Sequence, residues 1–267
     1  MNYSKLQTLQ HICKVSGLSR KGRKADMLQR IMYAPSYPTD NVLSIDLGIK
    51  NFAYCLAGRT EDAKVNIYEW AHEDLTSPTN GLGIQWTENY HPQYLARLAS
   101  QIYTTITSRF HPNVILLEQQ RYRSGVKTIP EWTLRVNTIE SMLHSLHYNS
   151  QVQVPPESES SSSILLSLAP KSVYSYVSTL PEFVNLNKAT KTKSARVKFL
   201  TSMLKNGKVF VSNDDARKTF ETPVKYSSKK DDMTDAAMMA ITWIEWQHKL
   251  RQYKHEIRSY VERTSQQ

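Results

Sequence analysis

The chain has 267 residues, with 34 Lys and Arg against 24 Asp and Glu and a formal net charge of +10. That length suits one α/β domain with a small appendage, and the charge favours a polyanionic partner, nucleic acid ahead of an anionic membrane surface. No window approaches the roughly 18 consecutive apolar residues of a bilayer span, and no basic start leads into an apolar run, so neither a membrane protein nor a secreted one is expected.

Residues 1–33 carry seven Lys and Arg, Arg20, Lys21, Arg23 and Lys24 among them, against the single acid Asp26. One reading is a mitochondrial presequence, since such segments are basic, acid-poor and amphipathic. The other rests on two apolar sets at helical spacing, Leu6, Leu9, Ile12 and Cys13, then Met27, Leu28, Ile31 and Met32, on either side of a turn at Ser16-Gly17-Leu18-Ser19. That spacing favours a small helical hairpin, with the four basic residues at its turn available to DNA. Pro35 and Pro38 mark a linker. Val42 to Ile45, Phe52 to Leu56 and Val65 to Trp70 then read as an antiparallel meander. Tyr94, Leu95, Leu98, Ile102 and Ile106 predict a helix broken at His111-Pro112. The wholly apolar Val114 to Leu117 predicts a buried strand ending at Glu118. Trp132 to Tyr148 is again helical, Gln151 to Ser163 a low-complexity loop, Ile164 to Leu168 a further strand. Helices follow at Ala195 to Leu204 and from about Met233 to Lys249. Cys13 and Cys55 form no metal-ligand pattern and read as buried apolar residues.

Acids stand where polar residues are costly. Asp46 ends the first strand, Glu118 ends a buried strand, and Asp231, Asp232 and Asp235 open the last helix. Asp235 follows Asp232 by three residues and Asp231 by four, so either can share its face. Taken singly, Asp231 and Asp232 read as helix caps, and Asp46 and Glu118 as partners of Lys50 and Arg121. Taken together, carboxylates forced into proximity suit magnesium or manganese, and two such ions about 4 Å apart serve an in-line phosphoryl displacement. Arg121, Arg123 and Lys127 interleave with Tyr122 just after Glu118, a pattern that can hold phosphates and stack an unpaired base. Lys188, Lys191 and Lys193 lie ahead of one helix, and Lys229 and Lys230 beside the last acids. His144 and His147 lack a third ligand and read as an ordinary hydrogen-bonded pair. The Asp-x-Gly-x-x-Asn of "SIDLGIKN" also opens actin-type ATPases, but those need two facing copies of the fold and a Gly-Gly loop. The 8 glycines here include no adjacent pair, so no nucleotide cofactor is expected, and Gly48 and Lys50 are placed near a phosphate backbone.

In their order and separation, "SIDLGIKNFAY", "VILLEQQRYRSG" and "KKDDMTDAAMMA" resemble the acidic motifs of the RNase H-like nuclease superfamily, and within it the RuvC-like resolvases. The start "LQTLQHICKVSGLSRKGRKADMLQRI" resembles a SAP motif, and the two together resemble the fungal mitochondrial Holliday-junction resolvases. The resemblance implies a mixed five-stranded sheet with helices on both faces, cleavage of four-way junction DNA, and a mitochondrial location. It carries over onto Asp46, Glu118 and Asp235; its Asp-x-x-Asp spacing selects Asp232 as the fourth acid, while a four-residue step selects Asp231. The implied organisation is a SAP-like module at 1–34, a linker at 35–41, the nuclease domain at 42–256 and a tail at 257–267. Two symmetric cuts imply a homodimer, for which Leu134, Ile139, Met142, Leu143 and Leu146 offer an apolar surface. The alternatives are a ribonuclease acting on RNA-DNA hybrids and an inert SAP-type DNA-binding scaffold.

Overall fold

The computed structural model describes residues 3, 5–62, 64–87, 89–120, 129–152, 163–184, 193–221 and 228–265. Six strands form one sheet: β1 (Val42–Asp46), β2 (Phe52–Arg59), β3 (Val65–Glu73), β4 (Val114–Glu118), β5 (Ile164–Leu168) and β6 (Val209–Val211), in the order β5-β4-β1-β2-β3-β6. The meander β1-β2-β3 is antiparallel, whereas β4 joins β1, β5 joins β4 and β6 joins β3 in parallel. The expected sheet of five strands is thus corrected to six. The added strand is three residues long and pairs with Val65 to Ile67, too short for alternation to announce it.

The helices are α1 (Leu6–Val15), α2 (Lys24–Tyr33), α3 (Pro92–Phe110), α4 (Glu131–Val152), α5 (Pro170–Val177), α6 (Pro181–Val184), α7 (Lys193–Lys205), α8 (Asp214–Glu221) and α9 (Ser228–Ser265). They cover both faces of the sheet. On one face Leu43, Ile45, Tyr54, Ile115 and Leu117 pack with Leu95, Leu98 and Ile102 of α3 and Val136, Ile139 and Leu143 of α4. On the other face lie Val42, Ala53, Cys55, Ala57, Val114 and Leu116, together with Ala236, Ala237 and Ala240 of α9. Small side chains on both β2 and α9 let the helix approach the sheet closely. Two buried donors then fix its rotation: Ser44 Oγ reaches the Ala236 carbonyl at 2.7 Å, and Trp70 Nε1 reaches the Met233 carbonyl at 2.8 Å. A β-bulge between β2 and β3 leaves Tyr68 unpaired, because Leu56 faces Glu69 while Ala57 faces Ile67. The extra residue switches the alternation, so that Trp70 joins Val65 and Ile67 on the α9 side.

The basic hairpin is not set apart by a core of its own. Leu9, Ile12 and Cys13 of α1 and Met27 and Ile31 of α2 are buried in the same cluster as Trp246, Leu250, Tyr253 and Ile257 of α9. Gly17 adopts φ +69°, and a Cβ there would run into the Trp246 ring, so the turn needs glycine for both conformation and space. Asp26, the acid of the Lys-Ala-Asp triplet, accepts the Arg23 amide at 2.7 Å and closes the start of α2. At the other end of the chain α9 runs unbroken from Ser228 through the expected tail to Ser265, and Ile257 is 1% exposed. Helical periodicity broke off early in the sequence because the C-terminal half of α9 alternates charged and apolar residues around a narrower buried stripe. The apolar set expected to form a dimer surface is also corrected. Ile139 and Leu143 are core, Met142 and Leu146 pack against that core, and only Leu134 of the five is exposed. Both cysteines are buried and free. Among the described residues no helix is long and apolar enough to cross a membrane.

Candidate active site

β1 and β4 are parallel neighbours in register from Val42–Val114 to Ile45–Leu117, so Asp46 and Glu118, one residue further along each, end side by side. Both continue the alternation that turns Ser44 and Leu116 toward α9, and the pinned first turns of that helix bring Asp235 down between them. One carboxylate oxygen from each of Asp46, Glu118 and Asp235 lies within 4.8 Å of the others. The sequence-predicted trio therefore converges.

Its electrostatics follow from burial and like charge. Burial first, then the carboxylates of Glu118, Asp235 and Asp232, push Asp46 well above the usual carboxylate range. Burial and Asp235 push Glu118 up to about 7, against the opposing charge of Arg196. Burial raises Asp235 to about 6, although Arg196 and a Tyr174 hydrogen bond pull the other way. The Arg196 guanidinium donates to Asp235 Oδ2 at 2.7 Å and lies over the Tyr174 ring, 5.0 Å from its centroid. The Tyr174 hydroxyl, kept protonated by burial, donates to Asp235 Oδ1 at 3.2 Å. Asp235 is thus oriented through both oxygens by α5 and α7.

The neighbouring aspartates occupy different surroundings. Asp232 is raised by burial and lies 3.8 Å from Nε2 of His72 on β3. Asp231 is buried, with Lys193 Nζ 3.5 Å from its Oδ2. Neither is a helix cap, because α9 begins at Ser228; the cap reading failed since the helix starts a turn earlier than its apolar periodicity. Of the expected DNA contacts, Lys193 borders the acids. Lys50 is exposed in the β1–β2 turn, and Arg20, Lys21, Arg23 and Lys24 are exposed on the hairpin. Lys230 directs its ammonium to the Glu221 carbonyl at 3.5 Å and to the Phe220 ring. Gly48 has a local reason, since a Cβ there would lie 2.6 Å from the Asn51 carbonyl oxygen. Arg121, Tyr122, Arg123, Lys127, Lys188, Lys191, the side chain of Lys229 and most of the serine-rich loop lie outside the described residues. His144 and His147 are hydrogen-bonded, to Ser167 at 2.8 Å and Tyr103 at 3.3 Å.

Three groups near the acids escaped the sequence reading. Tyr174 sits on α5, whose one signal was Pro170 at a helix start. Arg196 was hidden in a run of basic residues. His72 lies on β3 beyond Trp70, where alternation ceases to be apolar.

A mixed sheet whose adjacent parallel strand ends gather carboxylates under a crossing helix is an RNase H-like architecture with a nuclease-type acidic centre. The chain belongs to the family described as mitochondrial resolvase Ydc2 / RNA splicing MRS1, whose model matches residues 42–253. It is 46% identical over 257 residues to the mitochondrial cruciform cutting endonuclease 1 of Schizosaccharomyces pombe, covering 96% of this chain and 98% of that protein. The crystal structure of the yeast mitochondrial Holliday junction resolvase Ydc2 superposes with a TM-score of 0.82 at 45% identity, covering 96% of this chain and 99% of the other.

Proposed function

We propose that this chain is a magnesium-dependent endonuclease that resolves four-way DNA junctions by paired, symmetric phosphodiester cleavage in mitochondrial DNA recombination. The observation that carries the reading is the convergence of Asp46, Glu118 and Asp235 oxygens within 4.8 Å. The family is described by both a resolvase and an RNA splicing protein, so the reading for this chain turns on its own acids. A binding scaffold has no use for buried carboxylates that raise one another's proton affinity, whereas a divalent cation relieves that repulsion. The three converging donors fit the group, since all are hard oxygens, as magnesium or manganese requires; Asp232, outside that trio and 3.8 Å from His72, is assigned as the fourth donor from its Asp-x-x-Asp spacing.

When bound, the metal supplies positive charge to the attacking and leaving oxygens of an in-line displacement. The protein's own residues prepare the rest. Arg196 and Tyr174 hold Asp235 in one rotamer, and Ser44 and Trp70 hold α9 at the height that brings Asp235 to the strand ends. Lys193 and Lys50 stand at the rim where phosphates approach. From their places in the sequence, Arg121, Arg123 and Lys127 are assigned to phosphates and Tyr122 to an unpaired base, Lys229 and Lys230 to the scissile region, and Lys188 and Lys191 to the arms. Two cuts across a two-fold junction call for two such centres, which a C₂ homodimer supplies. Its surface includes Trp132 and Leu134 at the start of α4, 58% and 45% exposed.

A cleavage assay on a four-way junction, plain duplex, a three-way branch and an RNA-DNA hybrid, with and without magnesium, tests the proposal. Paired cuts at symmetric positions of the four-way junction, dependent on metal, are expected. Asp46→Asn should lower the rate by orders of magnitude while junction affinity persists. Substantial turnover by that variant, or preferential cutting of the hybrid, overturns it.

A further inference from the structure

Where the hairpin turn meets α5, a cavity of about 420 Å³ opens, walled by Lys14, Arg20 and Lys21 on one side and Lys171, Ser172 and Ser175 on the other, with Trp246 against Gly17 at its base. Among the described residues lining it there is no acid, and none of its four cations pairs with a described carboxylate. Such a concentration of unneutralised positive charge in a concave polar site is unfavourable for folding and is relieved by a bound anion.

The walls are built, not incidental. Arg30 donates to the Ser19 carbonyl and, at 3.1 Å, to the Lys21 carbonyl. The guanidinium thereby gathers the backbone oxygens of the turn and leaves its basic side chains to the cavity. Gly22, at φ +107°, completes the reversal. Across from it, Pro170 opens α5, whose N-terminal dipole adds to the field of Lys171. Ser172 and Ser175 present hydroxyl donors on the same flank of that helix.

The position relative to the acids identifies the anion. On α5, Tyr174 faces Asp235, whereas Lys171, Ser172 and Ser175 face the cavity, so the two sites flank one helix. We propose that this cavity binds a backbone phosphate of a junction arm, and that α5, which lines it with Lys171, Ser172 and Ser175 and touches Asp235 through Tyr174, joins it to the acids. The proposal rests on the junction-cutting reading. The hairpin and the nuclease fold then grip one strand jointly, neither providing a complete phosphate site alone.

Junction binding by the full-length protein, measured over a series of salt concentrations, tests it. Lys171→Gln should weaken binding about fivefold near 0.1 M salt. Lys14→Gln with Lys171→Gln should lower the slope of log affinity against log salt by about 0.9, the value for one phosphate contact. Thermal midpoints should match the unaltered protein, since both side chains lack described ion pairs. Lys218→Gln, on α8 and outside the cavity, should leave the slope unchanged. An unchanged slope in the double variant, or an equal fall in Lys218→Gln, overturns the cavity assignment. So does a loss of affinity in the unaltered protein, equal to that of Lys171→Gln, when inorganic phosphate replaces chloride at matched ionic strength, because the cavity then prefers the free anion. Failure of the unaltered protein to bind a junction at all overturns the function beneath it instead.

Discussion

Replacing Glu118 with glutamine should stabilise the metal-free protein while abolishing its chemistry. The carboxyl ordinarily titrates near 4.5 and is held at about 7 in the fold by burial and by Asp235. At 1.36 kcal/mol for each pH unit, that interval corresponds to about 3 kcal/mol of stability lost at alkaline pH. Glutamine keeps the volume and removes the charge, and burying its amide offsets part of the gain, leaving on the order of 2 kcal/mol. For a chain of this size that raises the unfolding midpoint by about 4–8 °C. The pH dependence follows from which state keeps its proton. Below about 4.5 the carboxyl is protonated folded or unfolded, and the two proteins should melt together. Between about 4.5 and 7 the unfolded chain releases the proton that the folded protein retains, so the parent loses stability and the variant does not. Thermal unfolding in chelator at a series of pH values reads this directly, and magnesium should recover the parent's midpoint more than the variant's. A Glu118→Gln protein that melts below its parent in chelator at pH 8, or an offset constant from pH 4.5 to 8, would refute the account of a repulsive, metal-poised centre.

Asp232→Asn should lower cleavage severely and Asp231→Asn mildly, because the former borders His72 and the acids while the latter is engaged by Lys193; single-turnover rates on a four-way junction distinguish them, and equal losses would count against Asp232 as the fourth ligand. Removing residues 1–33 uncovers Trp246, Leu250 and Tyr253, so several kcal/mol of burial is lost. The truncated chain should melt well below the full one or aggregate, and a truncation with the parent's midpoint contradicts the shared core. Sedimentation of the intact protein without DNA should give twice the chain mass, with Trp132→Lys combined with Leu134→Lys returning it to the monomer at unchanged helix content; a monomer that still makes paired cuts removes the dimer from the proposal.

The strand ends were legible because Asp46 and Glu118 each close an apolar run, and a carboxylate there contradicts its neighbours. Asp235 was legible through its spacing from Asp231 and Asp232. What sequence spacing could not supply was the partner of each acid. Arg196 and Tyr174 reach Asp235 only because α5 and α7 fold back beside α9, a relation carried by tertiary packing. The hairpin's helices could be read from their apolar sets, but whether those sets faced each other alone or a third helix depended on Trp246, more than 200 residues away. Likewise the apolar residues of α4 could serve a core or a partner, and only the sheet face beneath them decides which.

α9 carries the acids in its first turns and the hairpin's seat more than ten residues further on, within one uninterrupted helix of 38 residues. Each residue advances a helix by about 100° and 1.5 Å, so the interval from Asp235 to Trp246 encodes an angle as well as a distance. Inserting one residue there would swing the seat by more than a quarter turn relative to the acids, and no local loop could absorb the error. Among related chains this interval should therefore hold its length while its side chains vary. Any change in length should come as three or four residues, which nearly restore the phase, accompanied by a compensating shift in the hairpin.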